Sequence, residues 1–232
     1  MSTSAIIPLR YRSDCSASAE ASAAYGEAVE AAEQHVQIEP SILYFGTPVV
    51  LLSTLNEDGS PNLAPMSSAW ALGYTVMLGL GASGKTLENL RRERDCVINL
   101  PDAGLWRHVE RLAPLTGRDP VPEWKAATQF RFEPRKFDAA GLTPQPSERV
   151  GAPRVLECPL QLEATVRDIR ALGADADTAA VETEVVRVHA APEIVIAGTN
   201  HVDPHRWTPL LYVFRHYVAA GERLGKTFRA ET

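Results

Sequence analysis

The chain is short of cysteine, of long apolar runs and of basic charge, and each shortage excludes a class of protein. Cys15, Cys96 and Cys158 are the three cysteines in 232 residues, an odd and scattered set with no Cys-x-x-Cys spacing. That argues against a disulfide framework or a zinc site and fits a reducing compartment. No apolar run approaches the ~20 residues that span a bilayer. Met1 to Arg12 lacks the basic-then-apolar pattern of a secretory signal, so a cytoplasmic protein is expected. Lys plus Arg number 23 against 29 Asp plus Glu, a net charge of −6. A mildly acidic chain lacks the field that attracts nucleic acid or an anionic membrane, and neither partner is expected. An anionic ligand would have to be held by a few local donors.

What is present is a hydrophobic content of 45%, enough for a real core. The length suits one domain, or one with an appendage. Residues 1–40 read as a loose tail and a peripheral helix over Glu20 to Gln34. Residues 41–225 read as the folded domain, and 226–232 as a C-terminal tail. Strands are expected over Pro48 to Thr54, Pro61 to Met66, Tyr74 to Leu80, Cys96 to Leu100, Leu160 to Val166, Glu182 to His189, Glu193 to Ala197 and Leu210 to Phe214. They are short, β-branched and bounded by turn residues. Asn56-Glu57-Asp58-Gly59 joins the first two as a hairpin, because Asp-Gly tolerates the positive φ of a tight turn. Helical spacing occurs at Thr86 to Arg94, Leu105 to Leu112 and Glu123 to Phe130, whereas 133–154 reads as a long ordered loop rich in Pro and Gly. Regularly alternating βαβ units are absent, so the fold class is mainly β with peripheral helices, mostly antiparallel.

One motif points two ways. Gly79-Leu80-Gly81-Ala82-Ser83-Gly84-Lys85-Thr86 fits G-x-x-x-x-G-K-[ST], follows an expected strand and opens an expected helix. Amides at a helix start, a lysine and a hydroxyl suit a phosphate on any fold. A P-loop nucleotide-binding protein further needs a parallel sheet and a strand ending in a magnesium-binding Asp. The nearest such strand, Val97 to Asp102, is interrupted by Pro101. A phosphate-binding loop on a different fold is the favoured reading, beside the P-loop protein and a purely structural glycine loop.

Three segments, taken in order, resemble the flavin reductase-like family with its FMN-binding split β-barrel. The first runs Val49-Val50-Leu51-Leu52-Ser53-Thr54 through Asp58-Gly59 to Asn62-Leu63-Ala64-Pro65-Met66-Ser67-Ser68. The second is Ser83-Gly84-Lys85-Thr86-Leu87-Glu88-Asn89-Leu90 with the strand Val97 to Leu100. The third is Phe137-Asp138-Ala139-Ala140-Gly141-Leu142-Thr143-Pro144, similar to the family's Lys-Phe-x-x-Ala-Gly-Leu-Thr-Pro loop, with Pro153 to Leu160 after it. The likeness extends from about Ile42 to Gly221. Two departures bear on the identity of flavin and reductant. Ala71-Leu72-Gly73-Tyr74 stands where many members have Pro-Pro, and Lys85 adjoins Thr86 where many have a residue between.

The resemblance implies an FMN flavoprotein, with FAD as the alternative, reduced by NADH or NADPH. It implies a homodimer with the flavin near the interface and a partner oxygenase or other electron acceptor. A non-catalytic flavin or electron carrier on the same fold is a further reading. The phosphate would lie at Ser83, Gly84, Lys85 and Thr86. Asn62, Ala64, Pro65 and Met66 would lie beside the ring, with the hydroxyls of Thr54, Ser67 and Ser68 on ribityl or phosphate oxygens. His216 is a candidate contact to flavin or nicotinamide. Hydride transfer to a flavin needs no protein base, so no catalytic residue is named. Among other candidates, His201 and His205 flank Pro204, which breaks a helix that would align them on a metal, and His189 reads as a surface or core-edge residue. Trp70, Trp106, Trp124 and Trp207 read as core or dimer contacts, with Trp70 bordering the pocket.

Overall fold

The computed structural model describes residues 35–225 and 227. Two compact units divide the chain, Met1–Ser41 and Ile42–Thr232. Of the first, the described residues 35–41 form neither helix nor strand, and the helix expected over Glu20 to Gln34 lies outside the described residues. So do Cys15 and most of the C-terminal tail.

The second unit is built on a seven-stranded antiparallel sheet. Its strands are β2 (Val50–Leu55), β3 (Pro61–Met66), β4 (Ala69–Leu72), β5 (Thr75–Gly81), β6 (Asp95–Leu100), β11 (Leu160–Leu172) and β12 (Thr178–Ala190). The spatial order is β3-β2-β6-β11-β12-β5-β4. A three-stranded sheet joins β1 (Phe45–Pro48), β13 (Leu210–Val213) and β14 (His216–Ala219). Short pairs complete the set: β7 (Leu115–Thr116) with β8 (Arg131–Phe132), and β9 (Pro144–Gln145) with β10 (Arg154–Val155).

Side chains alternate across a strand, and on β2 both faces are buried. Val50 and Leu52 enter one apolar cluster with Val76, Leu78, Ile98 and Val181. Leu51 enters the other with Leu63, Val109, Phe137 and Leu210. Helix α1 (Lys85–Glu93) closes the first cluster with Leu87 and Leu90. Helices α2 (Trp106–Leu112) and α4 (Lys136–Ala140) close the second with Val109, Leu112, Phe137 and Ala140. This two-sided burial explains the unbroken apolar run Val49 to Leu52 that sequence alone reads as a strand. A further short helix, α3 (Glu123–Ala127), is exposed.

The expected β2–β3 hairpin is present, with Thr54 opposite Asn62 and Val50 opposite Met66. Gly59 takes φ +79° in its turn, and the Asp58 carboxylate accepts the Ser60 N–H at 2.9 Å. Three expectations change. Glu193 to Ala197 is not a strand. A 3₁₀ turn occupies Pro192–Ile194, started by a proline whose fixed φ suits a first helical position, and Val195 makes only an isolated bridge to Val202. The segment 133–154 is more regular than a loop, because α4 forms and is stopped by Gly141 in the left-handed region. Finally, the strand expected over Leu210 to Phe214 is not the last, for another follows it. Phe214 and Arg215 form a tight turn at φ 41° and 71°, and His216 begins β14. That turn uses no glycine, so the usual hairpin signal was missing.

Candidate functional site

The helix start that follows β5 differs from a nucleotide-binding P-loop. Gly79, Leu80 and Gly81 belong to β5 itself, which pairs antiparallel with β4 and β12, so only Ala82, Ser83 and Gly84 lie between strand and helix. A phosphate-wrapping loop on a parallel sheet does not exist here, and the P-loop reading is corrected on that ground. Gly84 is the N-cap of α1 and supplies no side-chain cap. The first-turn amides therefore lack partners within the helix and keep their preference for an anion. Ser83 is exposed beside them.

Four buried polar residues tie this helix to the hairpin. The Asn62 amide nitrogen donates to Thr54 Oγ1 and to Thr86 Oγ1, each at 3.2 Å. Asn89 Nδ2 donates to Thr54 Oγ1 at 3.1 Å and to Asn56 Oδ1 at 3.0 Å. Both threonine hydroxyls act as acceptors in these bonds, so each retains its own proton to donate. One atom is left over: Asn62 Oδ1 is buried and has no donor. Buried acceptors are rarely orphaned, so this one marks a place for a ligand hydrogen-bond donor.

Lys85 stands at the rim of that place, its ammonium 2.6 Å from Glu88 Oε1. Arg118 binds the other oxygen of Glu88. The Lys85 hydrogen bond is the main reason the Glu88 carboxyl is held below the usual range; Arg118 assists. Asn56, Ser60, Asn62, Lys85 and Gly117 line a cleft of about 310 Å³. Gly117 bounds it closely, for a Cβ there would stand 2.8 Å from Asn62 Oδ1.

The other end of β3 opens on a second cleft, of about 260 Å³, lined by Tyr44, Pro65, Met66, Ser67, Tyr212 and Tyr217. Tyr44 and Tyr212 meet edge to face at 5.5 Å, and Tyr212 and Tyr217 lie 5.7 Å apart. The Tyr44 hydroxyl is 2.9 Å from Ser68 Oγ, which fixes the chain beyond β3. Burial first, and then the Glu110 carboxylate that its hydroxyl donates to, raise the Tyr217 pKa, so the phenol stays protonated. From Asn62 to Met66 is four residues, about 13 Å along a strand. A long ligand lying on β3 would touch both clefts.

The sequence therefore points to two ends of one strand, with Ala64 half-buried between them. His216 is elsewhere. It lines a third cavity of about 540 Å³ with Trp106, Glu110 and Arg215, beyond Tyr217, and its Nδ1 lies 3.1 Å from the Phe214 carbonyl. Trp70 lines none of the three cavities described above and is 60% exposed at the sheet edge. Asn89, Gly117, Tyr44 and Tyr212 carry no role in the sequence reading. Asn89 lies inside the second resembling segment and Tyr217 beside His216, whereas Gly117, Tyr44 and Tyr212 come from segments whose proximity no local pattern announces.

The remaining candidates have structural settings. His189 packs at the edge of the core, its Nε2 2.7 Å from the fully buried Glu163. His201 and His205 lie in a loop, and the Asp203 side chain accepts the His205 N–H. Among the described residues no three His, Cys, Asp or Glu side chains converge as a metal site would require. No helix among them is long and apolar enough to cross a membrane.

The fold, mostly antiparallel strands with short helices, is similar to the split barrel of flavin reductase-like proteins. A family model, the flavin reductase like domain, matches residues 42–221, and the chain belongs to the flavin reductase-like family. It is 47% identical over 196 residues to the uncharacterized protein YdfE of Bacillus subtilis (strain 168), covering 84% of this chain and 94% of that one. Its fold is similar to flavoredoxin of Desulfovibrio vulgaris (Miyazaki F), with a TM-score of 0.69 at 23% identity over 85% of this chain and 99% of that one. It is also similar to nitrilotriacetate monooxygenase component B from Bacillus cereus, with a TM-score of 0.65 at 17% identity over 97% and 100%.

Proposed function

We propose that the protein is an FMN-binding oxidoreductase of the flavin reductase class, using NADH or NADPH. The observation that carries this reading is the orphaned Asn62 Oδ1, buried between the hairpin and the start of α1 in a chain of this family. The donor set fits a flavin mononucleotide. Lys85, the Thr86 hydroxyl and the amides after Gly84 would hold the phosphate, with Ser83 beside them. Asn62 and Thr54 would meet the ribityl chain, and Ala64, Pro65, Met66, Ser67 and Ser68 would run along the ring. When bound, the flavin would supply the hydride acceptor that the nicotinamide serves. The chain's own part is to hold, orient and shield. Pro65 and Met66 present a largely apolar wall, and Tyr44 fixes Ser68. His216 would act on a nicotinamide nucleotide entering past Tyr217.

A second copy would complete the site. Trp70, Leu72 and Tyr74 are 60%, 75% and 71% exposed on β4 and the turn after it. Large apolar side chains grouped on an edge strand are a face that association covers. The similarity to a monooxygenase component B supports an oxygenase as acceptor of the electrons. The similarity to flavoredoxin favours a second reading, a flavin electron carrier. Unpaired and buried Cys96 and Cys158 agree with a reducing, cytoplasmic setting.

The test is direct. Purified protein should bind FMN in a fluorescence titration, show flavin absorption bands, and bleach on mixing with NADH or NADPH in stopped flow. A flavin that stays oxidised until a partner reductase is added would establish the carrier. Failure to bind either FMN or FAD would overturn both.

A further inference from the structure

The largest of the three cavities is the one that a flavin on β3 uses least. It measures about 540 Å³, in the range of small-molecule sites, and lies between α2 and the β13–β14 hairpin. Trp106 and Tyr217 give it two aromatic rings, 6.4 Å apart and inclined at 39°, and Trp106 is 40% exposed. Arg215 and His216 add an exposed guanidinium and an exposed imidazole. The Glu110 carboxylate, also in the wall, accepts the Tyr217 hydroxyl at 3.1 Å. That bond holds the ring in place and leaves the second carboxylate oxygen for a ligand donor.

The turn that carries Arg215 has the wrong residues for its shape. Phe214 and Arg215 alone join the paired Val213 and His216, and both have positive φ, 41° and 71°. Such a turn suits Asn-Gly, because a Cβ crowds the backbone in that region. Backbone held against its preference is kept where something is gained, and ligand clamps are a common place for it. Here the gain is position. The Phe214 N–H donates to the Tyr44 carbonyl at 2.7 Å, and the Phe214 carbonyl lies 3.1 Å from His216 Nδ1. A carbonyl only accepts, so Nδ1 carries the hydrogen and Nε2 is left for a ligand. Flat rings, two nitrogen groups for an oxyanion and an oxygen for an amino or hydroxyl donor thus meet at one cavity. We propose that this cavity binds an adenosine phosphate, with the purine against Trp106 and Tyr217 and a phosphate on Arg215 and His216. In a nicotinamide nucleotide that phosphate is either the 2′-phosphate, which NADH lacks, or the pyrophosphate. The inference rests on the proposed use of NADH or NADPH for its place in turnover, but not for the existence of the nucleotide subsite.

The test titrates the purified full chain with adenosine 2′,5′-bisphosphate and with adenosine 5′-diphosphate. Two variants are compared with the wild type. Arg215→Gln keeps the turn and removes the charge, whereas Phe214→Asn combined with Arg215→Gly gives the turn the residues it prefers. The wild type should bind at least one probe, and Arg215→Gln should weaken that binding by about tenfold or more, the loss of one charge-assisted bond. A loss confined to the 2′,5′-bisphosphate assigns the 2′-phosphate, and with it a preference for NADPH. A loss with the 5′-diphosphate assigns the pyrophosphate. The double variant should melt roughly 2–4 °C higher than the wild type yet bind as weakly as Arg215→Gln. In the flavin-loaded protein both variants should raise the KM for the nucleotide with little change in kcat. A wild type that binds these probes through Arg215 but binds no flavin would sink the flavin reading and leave this one standing. A wild type that binds neither probe, or binds them no more tightly than Arg215→Gln does, overturns the proposal. So does a double variant that melts no higher, since the turn would then hold no strain for a ligand to explain.

Discussion

Gly117 faces Asn62 so closely that a single added methyl would stand 2.8 Å from Asn62 Oδ1 and 3.3 Å from Lys85 Cγ. The orphaned acceptor and the lysine of the cleft thus share one glycine as their neighbour, and any side chain there would fill the cleft between them. Gly117→Ala should raise the dissociation constant for FMN at least tenfold. It should also destabilise the apoprotein by ~1–3 kcal/mol, the usual cost of overpacking a close contact. Isothermal titration and thermal unfolding of the same preparation measure the two effects. Undiminished affinity would mean that the flavin does not enter beside Gly117.

Lys85 is paired with Glu88, and the pair is partly exposed. Its exchange of a carboxylate for a phosphate should therefore be easy, because such pairs contribute little to stability. Lys85→Ala should weaken FMN binding by ~1–3 kcal/mol, as loss of a charge-assisted bond does, and should barely alter riboflavin binding. Glu88→Gln should act in the opposite direction by releasing the ammonium. Fluorescence titrations with both flavins decide the matter. An FMN affinity untouched by Lys85→Ala removes this residue from the phosphate site.

How much of this was legible before the fold was known differs between local and distant features. The β2–β3 hairpin was readable because its apolar strand and Asp-Gly turn are adjacent in sequence. The helix start was readable for the same reason, and Thr54, Asn62 and Thr86 do meet. Gly117 and the Tyr44–Tyr212 pair were not, since each gains meaning from a neighbour tens of residues away. β14 was missed because its turn is made by Phe214 and Arg215, residues that rarely accept positive φ. The decoy motif at Gly79 to Thr86 shows the converse. Its local pattern is that of a P-loop, and only the antiparallel pairing of β5 removes that reading.

Glu163 supplies a prediction about stability rather than binding. It lies fully buried on β11 and accepts backbone N–H bonds from Glu148 at 2.9 Å and Arg149 at 2.6 Å, besides the bond with His189. Burial raises its pKa, but the two amides and His189 outweigh it, so the carboxyl ends below its ordinary value. A depressed carboxylate stabilises the fold fully at neutral pH, and that contribution fades as pH falls through the folded-state value. Glu163→Gln should therefore lower stability near pH 7 by ~1–3 kcal/mol, with the gap closing as pH falls below the ordinary carboxylate range. Urea unfolding at several pH values would measure it. A gap independent of pH would show that charge at Glu163 is not what holds the 148–149 backbone.

The last prediction concerns the exposed face at the sheet edge. β4 is one of the two edge strands of the large sheet, and Trp70, Leu72 and Tyr74 lie on it and on its turn with most of their surface in solvent. Burying a large apolar side chain contributes roughly 1.5–3 kcal/mol. Three of them in each of two copies would amount to a substantial part of a stable dimer's association energy. Trp70→Glu combined with Leu72→Glu would place charges on that face without touching Asn62, Lys85 or Thr86. Sedimentation velocity should find a dimer for the wild type and a monomer for the double variant. If the flavin lies near the interface, the monomer should also bind FMN more weakly, although every residue of the β3 cleft is intact. A dimer that survives both substitutions would move the interface elsewhere, and a monomer with full FMN affinity would show that one subunit completes the site alone.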